Sequence, residues 1–178
     1  MSLYVILLPL ISGIICGVFN KRISDLNAQV ISSGLVSIAA LTSLYIFFTI
    51  GMNDAKEHII LFNWLNSGDF NANWSIYVDS LTAIMFVVVT SVSALVHIFS
   101  VGYMHHDPCI PKFMSYLSLF TFFMLMLVSA DNFAQLFFGW EGVGLCSYLL
   151  IGFWYENQSA CKAAMKAFVV NRVCDFAF

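Results

Sequence analysis

The chain has 178 residues, of which 61% are hydrophobic and 10% charged, with a formal net charge of −3. A soluble domain carries about 25% charged residues, so this chain lacks the polar surface to cover a water-soluble fold. No cluster of basic residues is present to meet nucleic acid, and a mean hydropathy of +0.88 places the chain in a lipid bilayer.

A helical span needs roughly 20 apolar residues, each rising about 1.5 Å, to cross a hydrocarbon core of about 30 Å. The sequence offers five complete candidates: 3–19, 28–50, 81–104, 113–130 and 133–153. The first is read as a span and not a signal peptide, because Lys21 and Arg22 follow the apolar run instead of preceding it. A sixth run begins near Cys161 and is still apolar at Phe178, with no cap or basic anchor. It is expected to be a truncated span. The expected fold is therefore all-α, a polytopic bundle of five complete spans plus a truncated sixth.

The segment 51–80 is the long connection. It carries Asn53, Asp54, Lys56, Glu57, Asn66, Asp69, Asn71 and Asn73, and it includes Trp64 and Trp74. Its unpaired backbone bars it from lipid, so it is expected at the interface with its tryptophans at headgroup level. The alternation around Ile59–Trp64 allows a short hairpin. Lys21 and Arg22 follow span one, Lys112 follows span three and Lys162 follows span five, while the opposite side has only Lys56. The positive-inside rule then puts the N-terminus outside. The expected division is 1–130 as an N-terminal membrane region and 131–178 as the start of a second unit.

Ionisable residues inside spans are functional candidates by default. Glu141 lies in the fifth span, about 12 Å from its outer end. It is either a group that takes up and releases protons or a structural carboxylate paired with a cation on an adjacent helix. Gly144, Leu145 and Tyr148 share its helical face. The sixth span carries Lys162, Lys166, Arg172 and Asp175. Arg172 and Asp175 are three apart and can pair. Asp175 lies about 9 Å from the outer side, close to the depth of Glu141, with Arg172 a turn deeper. If spans five and six touch, these residues form one buried charge cluster. Lys166 either links that cluster to the inner side or snorkels, as Lys162 is expected to do.

His97, near the inner end of span three, is either a proton relay or an imidazole bonded to a neighbouring helix. Asp79 and the pair Asp131-Asn132 are expected to cap spans three and five. Gly139, Gly142 and Cys146 form a small-residue stripe suited to helix packing. Five cysteines include no C-x-x-C pair, and four are read as small hydrophobes. His105, His106, Asp107 and Cys109 resemble a metal site in content, but their spacing fits no zinc or iron pattern. No metal site and no bound cofactor are expected.

The run Gly139 to Tyr155, GWEGVGLCSYLLIGFWY, resembles the signature of NADH-quinone oxidoreductase subunit L, the bacterial counterpart of mitochondrial chain 5 of respiratory complex I. The run Lys166 to Phe178, KAFVVNRVCDFAF, is similar to that family's next helix. The stretch Tyr77 to Tyr103, with Asp79, His97 and Tyr103, resembles its third span. The likeness covers essentially the whole chain and is weakest across Asp54–Asn73.

The resemblance implies an antiporter-like membrane-arm subunit with a proton path coupled to quinone reduction elsewhere. It implies that Glu141 matches the key glutamate of that path, that Lys166, Arg172 and Asp175 match charged positions of the following helix, and that Arg172 and Asp175 form an ion pair tuning the channel. NADH, FMN, iron–sulfur clusters and quinone would belong to partner subunits. The partners implied are other membrane-arm subunits, the bilayer and protons. The membrane implied is the bacterial plasma membrane or, alternatively, the mitochondrial inner membrane.

Cys174 stands where the family pattern has glycine, adding bulk at an expected helix contact. The family's partner lysine on a later helix would lie beyond Phe178, so the chain is expected to be part of a split or truncated protein. The alternative readings are a subunit of a multisubunit cation/proton antiporter and a non-functional remnant.

Overall fold

The computed structural model describes residues 1–178 apart from Asp54, Gly68, Asp69, His106 and Phe178. Asp54 and Asp69 of the long connection, His106 of the His–His–Asp run and the terminal Phe178 thus lie outside the described residues.

The apolar runs fold as helices α1 (Ser2–Val18), α2 (Asp25–Ile46), α3 (Ser80–Tyr103), α4 (Ile110–Val128), α5 (Phe133–Ile151) and α6 (Gln158–Ala177). A π-helical turn, Phe47–Gly51, extends α2. Among the described residues, four helical segments are long and apolar enough to cross a membrane: α2 with its π turn, α3, α4 and α5. α1 is apolar but 17 residues long. α6 has the length, but Lys162, Lys166, Arg172 and Asp175 lower its apolar character.

The all-α expectation needs correction. The connection between α2 and α3 is a two-stranded antiparallel sheet, β1 (Glu57–Ser67) and β2 (Phe70–Val78). The hairpin allowed at Ile59–Trp64 is therefore real and longer than the alternation indicated. The reason is backbone satisfaction: a segment beside the bilayer must pair its N–H and C=O groups, and an antiparallel ladder does so. The ladder shifts register between Ile60 and Phe62 and between Asn63 and Leu65, which blurs the period-2 pattern.

α4 is the hub of the bundle, packing on α1, α2, α3 and α5, while α6 packs chiefly on α5. At the hairpin end, Val5, Ile6, Ile46, Phe86 and Leu125 close a core with Ile76 and Val78 of β2. The hairpin is clamped to the α4–α5 turn by polar bonds. Tyr77 N donates to Ser129 O (3.0 Å), Asn132 Nδ2 to Asn73 O (2.7 Å) and Ser75 N to the side-chain oxygen of Gln135 (3.0 Å). Trp74 packs its ring against Phe138 of α5 at 4.9 Å, and Trp64 packs on Trp74 at 4.9 Å.

The caps divide as follows. Asp79 accepts from Thr82 N at 2.8 Å and caps α3. For α5 the cap is Asn132, which accepts from Gln135 N at 2.9 Å. Asp131 is not a cap: it accepts from Ser75 Oγ (2.8 Å) and lies 3.0 Å from His58 Nε2. It is spent on the hairpin clamp because β2 lies within its reach.

The Thr82 backbone N–H, followed by smaller effects including the Lys56 charge, holds the Asp79 carboxyl below its ordinary value. A lowered folded-state value means the cap stabilises above the unfolded carboxylate range and fades as pH falls through about 4 and below. Asp79→Ala should cost about 1 kcal/mol. Thermal unfolding at pH 7 should show that deficit, and it should shrink at pH 3.

Candidate functional site

Helix α5 delivers Glu141 to the α6 side because its opposite face is reserved for α4. Gly139 approaches α4 so closely that an added Cβ would stand 2.7 Å from Leu127 N, and at Gly142 a Cβ would meet the Phe123 ring. Cys146, next on that stripe, is buried. The stripe is a packing surface, as its spacing indicated. Gly144 serves the other side: its bare backbone admits Asn171 of α6, whose Nδ2 lies 3.2 Å from a built Cβ.

Helices α5 and α6 touch, and they bring three expected residues together. Arg172 Nη1 donates to Glu141 Oε1 in a short ion pair. The same Nη1 lies 3.5 Å from Asp175 Oδ2, three residues along α6. The guanidinium stands over the Phe168 ring, 5.0 Å from its centroid, a placement that favours a cation. Phe168 in turn packs on Tyr148 at 5.4 Å. Glu141 and Asp175 thus meet through Arg172, which lies between them. Enclosure is uneven, however: side-chain exposure is 9% for Asp175 and 21% for Glu141, but 48% for Arg172. The expected buried cluster is open on its arginine side.

One member was missed. Trp140 Nε1–H donates to Asp175 Oδ1 at 2.8 Å. The available signal was its adjacency to Glu141, which gives it the same depth as the acid cluster.

Lys166 is not in the cluster. It is exposed, and among the described residues it forms no ion pair. Lys162 is exposed as well. Cys174, which stands two residues from Arg172 on α6, is exposed. Cys16 and Cys146 are buried small hydrophobes, whereas Cys109 is exposed. Asp107 accepts from Cys109 N (2.9 Å) and from Trp154 Nε1 (2.9 Å), which ties the α3–α4 turn to the end of α5.

His97 lies apart, in the α1–α4 bundle, fully buried. Its Nδ1 is 2.7 Å from Ser93 O, and a carbonyl only accepts, so Nδ1 carries the proton. Its Nε2 is 3.1 Å from Ser118 Oγ of α4. Ser118 also meets Ser12 of α1 and Ser32 of α2, each at 3.0 Å. One hydroxyl therefore joins four helices. With His97 neutral, Ser118 donates to Nε2 and accepts from both serines, which fills its one donor and two acceptor places. Ser115, Ser118 and Thr121, spaced by three in an apolar helix, were the overlooked signal. Ser118→Ala orphans three partners and should cost about 1–3 kcal/mol. Ser12→Ala should cost about 0.6 kcal/mol, the average for one interhelical bond in lipid. Unfolding of the variants in bilayer discs tests that order, and equal losses would refute the hub.

The comparisons agree with this architecture. Residues 64–114 match the family model described as NADH-Ubiquinone oxidoreductase (complex I), chain 5 N-terminus. Residues 130–178 match the one described as NADH:quinone oxidoreductase/Mrp antiporter, TM. The chain is 59% identical over its whole length to NADH-quinone oxidoreductase subunit L of Rickettsia felis, spanning 28% of that protein. It is 51% identical over its whole length to NADH-ubiquinone oxidoreductase chain 5 of Metridium senile, spanning 30% of it. Among solved structures, a chain of the membrane-bound sulfane sulfur reductase, an archaeal respiratory membrane complex, superposes with a TM-score of 0.80 at 20% identity. That match covers 98% of this chain and 34% of the other, and it speaks for the fold alone. Matched end to end with such relatives and by both family models, the chain belongs to the NADH-quinone oxidoreductase subunit L and NADH-ubiquinone oxidoreductase chain 5 family.

Proposed function

We propose that this chain supplies the first helices of a proton-translocating membrane-arm subunit of NADH-quinone oxidoreductase. The observation that carries the reading is the arrangement of Glu141, Arg172 and Asp175: two carboxylates share one guanidinium nitrogen between the adjacent helices α5 and α6. One cation cannot neutralise two anions, and uncompensated charge beside lipid is costly. A proton on one carboxylate removes the imbalance, and its departure restores it. Such a pair is suited to load and release protons. The similarity to subunit L and chain 5 of the respiratory enzymes supports the respiratory assignment over a free-standing antiporter.

In this reading Glu141 carries the proton, Arg172 and Asp175 set its electrostatic surroundings, and Lys166 faces a proton route completed by further helices of the polypeptide. His97 is an anchor of the α1–α4 bundle, because both ring nitrogens are engaged and the hydroxyls around it are buried. NADH, FMN, iron–sulfur clusters and quinone belong to partner subunits. Helices α1 to α5 cross the membrane and α6 begins a sixth crossing, with the N-terminus and hairpin outside. That topology is supported by Lys21, Arg22, Lys112 and Lys162 all falling at the end away from the hairpin. Residues 1–130 form the supporting bundle and 131–178 begin the translocating unit. Bacterial plasma membrane is the favoured location, given the identity to the Rickettsia protein.

The test is Glu141→Gln in the full-length subunit of an assembled complex. NADH-driven proton uptake into inverted vesicles should fall while the amount of assembled complex is unchanged. Wild-type uptake in that variant would defeat the assignment. Sodium-dependent pH homeostasis without any link to NADH oxidation would favour the antiporter instead.

A further inference from the structure

Trp140 touches the cluster at a point where a purely packing residue would not. Asp175 is the most enclosed of the three charged groups, and its two oxygens are held differently. Oδ2 faces Arg172 at 3.5 Å, while Oδ1 receives the indole N–H at 2.8 Å. An indole nitrogen donates and cannot accept, so this bond needs Asp175 as an acceptor and fixes the direction of its carboxylate. Arg172, by contrast, engages both carboxylates through one nitrogen. Trp140 is the neighbour of Glu141 on α5, so a single stretch of α5 backbone carries both the acid and the donor that steadies the opposing acid.

We propose that Trp140 is a positioning residue: it holds Asp175 on α6 as the alternative anchor for Arg172, so that the guanidinium passes from Glu141 to Asp175 when Glu141 takes a proton. The inference rests on the reading of Glu141 as the proton-carrying group. The balance is simple. One proton arrives on a Glu141 oxygen, the Glu141–Arg172 ion pair breaks, and Asp175 keeps its charge and its indole bond while taking Arg172 fully. Loss of the proton reverses each step. Trp140 itself neither gains nor loses a proton.

The experiment uses assembled NADH-quinone oxidoreductase carrying the full-length subunit, with NADH-driven proton uptake measured in inverted vesicles across a range of pH. Trp140→Phe keeps the aromatic bulk and removes the donor. It should lower uptake about tenfold, the loss expected for one hydrogen bond to a charged group, and it should change the pH profile. Trp140→His retains a ring N–H and should restore much of the rate; it also serves where the Phe variant assembles poorly. In an Asp175→Ala background, Trp140→Phe should add nothing, because the indole acts only through that carboxylate. Wild-type rate and pH profile in Trp140→Phe, or full additivity with Asp175→Ala, would overturn the proposal. If Glu141→Gln abolishes uptake while Trp140→Phe matches wild type, the Trp140 role alone falls. If Glu141→Gln pumps normally, the proton reading falls and takes this one with it.

Discussion

Gly139→Leu should be the most damaging single substitution in the bundle, lowering stability on the order of 3 kcal/mol. Even the first carbon of a side chain there would sit 2.7 Å from Leu127 N and 2.8 Å from Leu127 Cα. Those are backbone atoms of α4, which cannot rotate aside as a side chain would. α5 would have to move away from α4, and in lipid no hydrophobic force draws the two helices back together, so close packing is the main source of their association. The displacement reaches function, because Glu141 lies two residues further along α5. Gly34 supplies the control. Nothing stands within 4 Å of a Cβ built there, so Gly34→Ala should be neutral or stabilise by up to about 1 kcal/mol through helix propensity. Unfolding in bilayer discs measures both. Equal stability of the two variants would show that the α4–α5 contact is looser than its geometry implies.

The same glycines explain why much of the fold was legible in the sequence. Apolar runs of about 20 residues leave little choice but helices, and the six expected runs match α1 to α6 within a few residues. Gly139 and Gly142 marked a packing side of α5, and the structure shows that α4 takes it. Matching the depths of Glu141 and Asp175 was sound because adjacent short-looped helices run antiparallel, and six residues between α5 and α6 permit nothing else. What stayed hidden was lateral. Depth along a helix follows from counting, but which side chains meet across a gap depends on rotation and tilt. Trp140 and Ser118 are of that kind, each bonding to a residue on another helix. The hairpin was legible only in part, for a different reason. Its two register shifts break the alternation, and its burial comes from the ends of α1, α3 and α4, as Ile76 and Val78 show. Asp131 was misassigned because a carboxylate before a helix reads as a cap, while a strand arriving beside it, with Ser75 and His58, claims it first.

Removing Arg172 should have the largest effect at the site, and the reasoning also separates its charge from its shape. Among the described residues, Arg172→Ala leaves Glu141 and Asp175 with a single indole donor between them. Breaking a fully enclosed ion pair costs about 3–5 kcal/mol. The Arg172 side chain is 48% exposed in this chain, so a loss of about 1–2 kcal/mol is expected here. Glu141→Gln in the same background should recover part of that loss, because it removes one of the two stranded anions. The recovery marks coupling between the residues, as a double-mutant cycle measures it. Arg172→Lys distinguishes the two contributions. It keeps the positive charge, so stability should stay near wild type, but an ammonium is a point charge without the planar fork that lets one group serve two carboxylates. Proton uptake in the assembled complex should therefore fall in Arg172→Lys even where the protein is as stable as wild type. If Lys supports full uptake, only charge matters at position 172, and the sharing of one guanidinium between Glu141 and Asp175 has no functional weight.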